Sequence, residues 1–249
     1  MARTVTLSLS VIVCAHNEAR YVAACLHSVL AQTRPPDELL VVNNASTDET
    51  RAVALEIPHV RVVDEARKGL VLAREAGRRA TSGDVLVYLD ADCRAPLTWL
   101  ARVERHFRRD ARLIALSAPY RFYDWDWWGR TLIRAYDITL APATQLLVKH
   151  VLRLGTIFYG GNFAVRREAL DRIGGFDTTI EFHGEDTNLG RRLFKVGKVG
   201  LYRDCFLHTS ARRYVAMGKT AVFRVYVRNF TSELLRHRPR DTSHLDVRI

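Results

Sequence analysis

VLVYLDADCRAP, residues 85–96, runs from an apolar strand directly into two carboxylates one residue apart, and then into a proline. In an extended segment, alternate side chains point the same way, so Asp90 and Asp92 can converge on one small volume. Two like charges held that close are costly unless a cation neutralises them, and hard carboxylate oxygens favour Mg2+ or Mn2+. Taken alone, the pair reads equally as a solvated acidic turn. The strand before it is apolar at successive positions, as expected of a strand covered on both faces.

Upstream, the same alternation of apolar strand and amphipathic helix repeats. Residues 8–15 form a β-rich run, and after Asn17, a good helix cap, Tyr21, Val22, Cys25, Leu26, Val29 and Leu30 fall at helical spacing. ELLVVNN (38–44) reads as the second strand, 47–57 as a short helix and VRVVDE (60–65) as the third strand. Leu70, Ala73, Ala76, Gly77 and Ala80 then give a third helix its buried side. Pro96 stands where a first-turn proline would, ahead of Leu97, Leu100, Val103 and Phe107. This order predicts an α/β fold with a mostly parallel central sheet flanked by helices. Beyond it, 121–154 reads as aromatic and helical, and TIFYGGNFAVRREAL (156–170) as a strand leading into a helix. Residues 185–196 read as a helix stopped by Gly197, and 214–236 as one long amphipathic helix.

Composition narrows the function. With 249 residues, 48% of them hydrophobic, the chain can bury a substantial core, and a net charge of +11 predicts an anionic partner: nucleic acid, a phospholipid surface or a phosphate-bearing substrate. Cys14, Cys25, Cys93 and Cys205 form no CxxC pair, so they read as free thiols in a reducing cytoplasm rather than as a zinc ribbon or disulfide framework. MARTVTLSLSVIVCAHNEA imitates a secretory signal, but its run is β-branched and leads straight into a helix, so it reads as the first strand. The longest charge-free stretch of the apolar middle region, 138–148, is well short of the ~20 residues needed to cross a bilayer.

Open α/β sheets bind ligands beyond the carboxyl ends of their strands, which makes His16, Asn17, Glu18, Asn43, Asn44, Asp90 and Asp92 the suspects. In chain order, VIVCAHNEARYVAACLHSVLAQTRPPDELLVVNNASTDET, LDADC, GGNFAVRREALDRIGGFD and GEDTNLGRRLFKVG resemble the family 2 inverting glycosyltransferases over about residues 8–210. The resemblance implies a fold of the nucleotide-diphospho-sugar transferase (GT-A) type. It also implies metal-dependent, inverting transfer of a sugar from a nucleoside-diphosphate sugar to an acceptor hydroxyl. The donor half reaches to about residue 92, the acceptor half occupies about 93–210, and 211–249 form a basic helix and tail.

Residue by residue, the resemblance sets Glu18, with its neighbours His16 and Asn17, near the nucleoside. Asn44 stands where the family often has the second of two aspartates, the one that contacts the base. Asparagine has a donor as well as an acceptor, which puts the identity of the base in doubt. Asp48 belongs to the same donor segment or caps the second helix. Asp90 lies toward the ribose, and Asp92 is the principal ligand of Mg2+ or Mn2+. Asp186, with Glu185 beside it, supplies the base that removes the acceptor proton; the same two acids in a first helical turn also suit the helix dipole. His208 falls where some members place a histidine that helps bind the metal or diphosphate. Arg191 and Arg192 stand near the family's diphosphate segment, but its tryptophan is lacking, which speaks against a processive polymer synthase. Asn162 lines the acceptor side or holds a turn beside two glycines.

The same residues admit other readings. The DxD of haloacid-dehalogenase phosphatases is normally followed two residues later by Thr or Val, and here Arg94 stands in that place. A nucleotide-sugar pyrophosphorylase should carry a Gly-rich basic loop after its first strand, where this chain has CAHNEAR. A nucleic-acid-binding protein would share the charge, but no recognised module organises it, and the clustered carboxylates would repel a polyanion. Trp125, Trp127 and Trp128 crowd into YDWDWWGR, and between Arg203 and Arg240 nine Lys or Arg face two acids. These features read either as a peripheral contact at the inner face of the membrane, with a lipid or lipid-linked acceptor, or as a filled core or sugar pocket, Trp125 included, beside a solvated basic helix.

Overall fold

The computed structural model describes residues 7–151, 156–180 and 184–236. The first half alternates strictly: β1 (Leu9–Ala15), α1 (Val22–Leu30), β2 (Glu38–Asn44), α2 (Thr50–Leu55), β3 (Arg61–Glu65), α3 (Leu70–Ala80), β4 (Val85–Asp90) and α4 (Trp99–Arg109). There follow β5 (Leu113–Ser117), β6 (Tyr120–Phe122), α5 (Trp127–Ile138), α6 (Leu140–Leu146) and one π turn, Leu147–Val151. The chain continues through β7 (Asn162–Arg166), α7 (Arg167–Arg172), α8 (Glu185–Phe194), β8 (Lys198–Leu201), β9 (Leu207–Thr209), α9 (Arg212–Met217) and α10 (Lys219–Arg236).

Seven strands form one sheet in the order β3-β2-β1-β4-β7-β5-β8, with β6 and β9 paired separately. β1 to β4 are mutually parallel, as the apolar strands predict, and β7 enters antiparallel between β4 and β5. Successive β1 side chains serve opposite faces: Val11 packs with Leu26 of α1 and Leu100 of α4, Ile12 with Val71 of α3 and Leu189 of α8. The chain winds to one side of β1 through β2 and returns to the other side at β4. Cys14 pairs with Asp90 across that reversal. A crevice opens beyond the strand ends there, where open sheets take their ligands.

Several sequence expectations change. Asn17 does not cap α1, which starts later with Tyr21 at its N-cap; Asn17 instead adopts φ 52° and accepts a hydrogen bond from the Thr47 amide. Pro96 precedes α4 by a short turn rather than opening it, which leaves Leu97 62% exposed. The stretch read as helical over 121–154 begins with a strand and breaks at Thr139; its last residues, 152–154, lie outside the described residues. The long C-terminal helix is two, divided at Gly218, whose φ of 81° suits glycine. Residues 1–6 and 237–249, part of the first-strand and tail readings, also lie outside the described residues.

Candidate active site

The β1–β4 crevice opens into a cavity of about 1900 Å3. One wall carries the strand-end acids: Glu18 after β1, Asp90 at the tip of β4 and Asp92 just beyond it. Glu185 and Asp186, in the first turn of α8, line the same cavity. Gly160 and Gly161 pass between the two sets. A Cβ on Gly161 would overlap the Asp90 carboxylate and the Tyr120 hydroxyl, so only glycine lets the backbone run this close. Arg74, on the buried face of α3, spans the gap, donating to the Gly160 carbonyl at 2.6 Å and to Glu185 Oε1 at 3.3 Å.

Charge is unevenly balanced here. Burial raises the Asp92 carboxyl above its ordinary range and Asp90 adds to the effect, while Arg212 and the Thr209 hydroxyl hold it down. Arg212 lies 3.0 Å from Asp92 Oδ2 and forms a bidentate pair with Glu18. Burial raises Glu185, and Asp186 raises it further, against the opposing Arg74 charge. Asp186 is raised by burial too, opposed by the Thr187 amide and by Arg74. Burial works against the charged form of Arg74, but Glu185, Asp90 and Asp186 lift it above its usual value. The site is thus a buried acidic pocket relieved in part by two arginines, a setting that favours further cationic charge.

Asp90 and Asp92 offer only hard oxygens, so this pair suits a Mg2+- or Mn2+-sized ion, while Glu18 is taken by Arg212. A second cluster, His106, Asp204 and Cys205, brings its ligand atoms within 4.8 Å of one another. It lies at α4, outside the cavity, and Arg105 already takes the Asp204 carboxylate at 2.8 Å. That arrangement is an ion-pair cluster.

The structure brings His16, Glu18, Asn44, Asp90, Asp92, Trp125, Glu185 and Asp186 to the one cavity. His16 donates from Nδ1 to the Asn44 carbonyl at 2.7 Å. Asn44 lines the wall, but its side chain is occupied: it donates to the carbonyls of Glu65 and Arg67 and accepts from the Gly69 amide. Asn17 and Asp48 do not line the cavity. Asp48 accepts from the Thr50 and Ala19 amides, which joins the loop after β1 to the turn just ahead of α2, whose N-cap is Glu49.

Four expectations are corrected. His208 does not approach Asp92: neighbours on a strand point opposite ways, Thr209 bonds Asp92 at 3.2 Å, and the His208 ring meets Phe206 edge-on. Burial, Arg121 and Arg94 lower its pKa, so it is the ring's direction and not its charge that keeps it from Asp92. Arg191 and Arg192 lie on α8 away from the cavity, with Arg192 donating to the Ile173 carbonyl. Asn162 is fully buried, tying the carbonyls of Pro119 and Cys205 together rather than meeting an acceptor.

Sequence reasoning missed Arg74, Arg212 and Asp137. Arg74 had a signal, a charge in the buried stripe of α3 beside Ala73 and Gly77. Asp137 lines the cavity from α5 and accepts from the Tyr159 hydroxyl at 2.9 Å; Arg212 reaches Glu18 from 194 residues away, a pairing no local pattern announces.

Residues 10–174 match glycosyl transferase family 2. Among curated proteins, the chain is 26% identical over 197 residues to glycosyltransferase AglE of Haloferax volcanii, covering 76% of this chain and 62% of AglE. It is 28% identical over 218 residues to human polypeptide N-acetylgalactosaminyltransferase 6, covering 76% of this chain and 35% of that one. The chain therefore spans less than two thirds of either relative. Among solved structures, a mannosyltransferase from Pyrobaculum calidifontis, in complex with GDP-Man and Mn2+, superposes with a TM-score of 0.71 at 23% identity, covering 98% of this chain and 67% of that one. Glucosyl-3-phosphoglycerate synthase from Mycobacterium tuberculosis, in complex with Mn2+, UDP-glucose and phosphoglyceric acid, gives 0.64 at 20% identity, covering 92% and 80%. At these identities the superpositions establish a shared GT-A fold.

Proposed function

The chain belongs to glycosyl transferase family 2, and on that premise we propose that it moves a sugar from a nucleoside-diphosphate sugar to an acceptor hydroxyl, with inversion and with a divalent metal. The observation that carries this reading is that two acidic sets line one cavity, Glu18, Asp90 and Asp92 from the strand ends and Glu185 and Asp186 from α8, with Gly160 and Gly161 between them. Transfer needs both: one place to hold a departing diphosphate and one carboxylate to take the acceptor's proton.

Glu18, Asp90 and the His16 edge form the donor side, and Asp92 would hold Mg2+ or Mn2+ with Asp90. That ion, when bound, would supply the positive charge that offsets the leaving diphosphate. Arg212 and Arg213 also line the cavity and can turn to the same phosphates. Asp186 accepts the hydroxyl proton, and Arg74 keeps the Glu185–Asp186 pair oriented through Glu185 and the Gly160 carbonyl. Trp125 presents its ring toward the acceptor space, set by Tyr214 at 4.7 Å and Phe122 at 4.9 Å between centroids.

Thermal-shift screening of the common nucleoside diphosphates, each with and without Mn2+, tests this reading. At least one should raise the melting temperature only when Mn2+ is present, since a ligand that binds the native state alone stabilises it. No response to any diphosphate with the metal would overturn it.

A further inference from the structure

Eight of the twelve large apolar side chains exposed among the described residues lie between positions 127 and 151, on α5, α6 and the π turn. Scattered exposed apolar residues need no explanation, but a concentration does. Trp127, Trp128, Leu132, Ile138, Leu140 and Leu146 are each 59% or more exposed, and the two tryptophan rings stack at 4.1 Å, presenting one slab to solvent. The charges along α5 and α6 are mainly basic; of the two exposed acids just before Trp127, Asp124 accepts from the Ser210 hydroxyl and the Ala211 amide, and Asp126 caps α5 at the Gly129 amide. Arg130 and Arg134 are exposed on α5, and the only acid in α5 or α6, Asp137, is half-buried and receives the Tyr159 hydroxyl. Arg224 and Arg228 are exposed on α10, which also borders the cavity.

We propose that this face docks the protein on an anionic phospholipid bilayer. Tryptophans suit the boundary between headgroups and acyl chains, and arginines beside them meet the lipid phosphates. No helix among the described residues is long and apolar enough to cross a membrane, so the face lies on the bilayer instead of spanning it. A second copy of the chain fits less well, because a twofold contact through this face would set Arg130 and Arg134 against their own symmetry mates. Leu132 and Leu140 belong both to the exposed slab and to the cavity wall, so the docked cavity opens at the lipid surface. Only this last consequence, an acceptor drawn from the bilayer, rests on the transferase reading; the docking stands on the surface alone.

The test uses the full chain and two kinds of vesicle, phosphatidylcholine alone and phosphatidylcholine with about 30% phosphatidylglycerol, at roughly 150 mM salt. Wild type should co-sediment with the anionic vesicles, and brominated acyl chains should quench its emission, since Trp99 and Trp125 are buried and leave Trp127 and Trp128 to report. The double variant Trp127→Ser/Trp128→Ser, with an unchanged melting temperature, should lose at least ~tenfold in co-sedimentation. Arg130→Gln/Arg134→Gln should lose the preference for anionic lipid. Wild type that stays in the supernatant, or a tryptophan variant that binds equally well, overturns the proposal. So does a dimer in sedimentation velocity that the tryptophan variant dissociates without any vesicle binding. Thermal shift with Mn2+ on the same samples separates the two readings: vesicle binding without a diphosphate response removes the transferase assignment and leaves the docking face.

Discussion

Asn44 shows how closely a residue's chemistry can be set by its neighbours. It faces two carbonyls and one amide, so it needs two donors and one acceptor, and asparagine alone of the Asn/Asp pair supplies both. Aspartate, the residue the resemblance leads one to expect, would set a carboxylate against two carbonyl oxygens. Asn44→Asp should therefore lower stability by about 1–3 kcal/mol in denaturant unfolding; unchanged stability would show that the loop at 65–69 does not depend on this bond set. Asp186 carries the opposite expectation. Its carboxyl and that of Glu185 are raised by burial, so the folded state binds protons more tightly than the unfolded chain. Their favourable contribution is full below the ordinary carboxylate range and is lost as pH rises through the raised values. Asp186→Asn should thus cut turnover at least ~100-fold with donor affinity kept, while its melting temperature at pH 8 stays level or rises. Wild-type turnover should fall on the acid side at a pH above the usual carboxylate range, as a pair. A variant that turns over normally removes Asp186 as the base. Glu18, Asp90 and Asp92 were legible because they end apolar strands, whereas the pairings of Arg74 and Arg212 were not, because each meets its carboxylate partner more than a hundred residues away in the chain. His208 was misplaced by a single step of strand period, which handed the inward position to Thr209.

At the scale of elements, β1 to β4 and α3 could be read nearly residue for residue, because an apolar strand and an amphipathic helix each carry their own period. β5 and β8 were missed: LIALS and KVGL are short, and their burial is decided by β7, which inserts antiparallel between β4 and β5. The division at Gly218 was missed too, yet it frees α9 to turn inward and place Arg212 between Glu18 and Asp92. An arginine there competes for the charge that a divalent ion would take. Arg212→Gln should therefore bind Mn2+ alone at least ~threefold more tightly in titration calorimetry. Weaker binding would show that Arg212 supports the ion instead of standing in for it.

The whole molecule joins a strongly basic exterior to an acidic cavity. A net charge of +11 suffices for loose attraction to any polyanion, but the concave surface that could select a ligand is lined by carboxylates. Binding to unspecific RNA should accordingly be weak, indifferent to Mg2+ and lost between about 50 and 200 mM salt in gel-shift assays; tight, salt-resistant binding would favour a nucleic-acid function. In the proposed function, the strand-tip acids hold a cation against the donor's diphosphate. Anomalous diffraction from a crystal grown with Mn2+ and a nucleoside diphosphate tests it most directly. A manganese peak bonded to Asp92 is expected, with the diphosphate against it and Arg212 moved off the carboxylate. A peak at His106 and Asp204, or a nucleotide bound away from the β1–β4 crevice with no metal at Asp92, would contradict it.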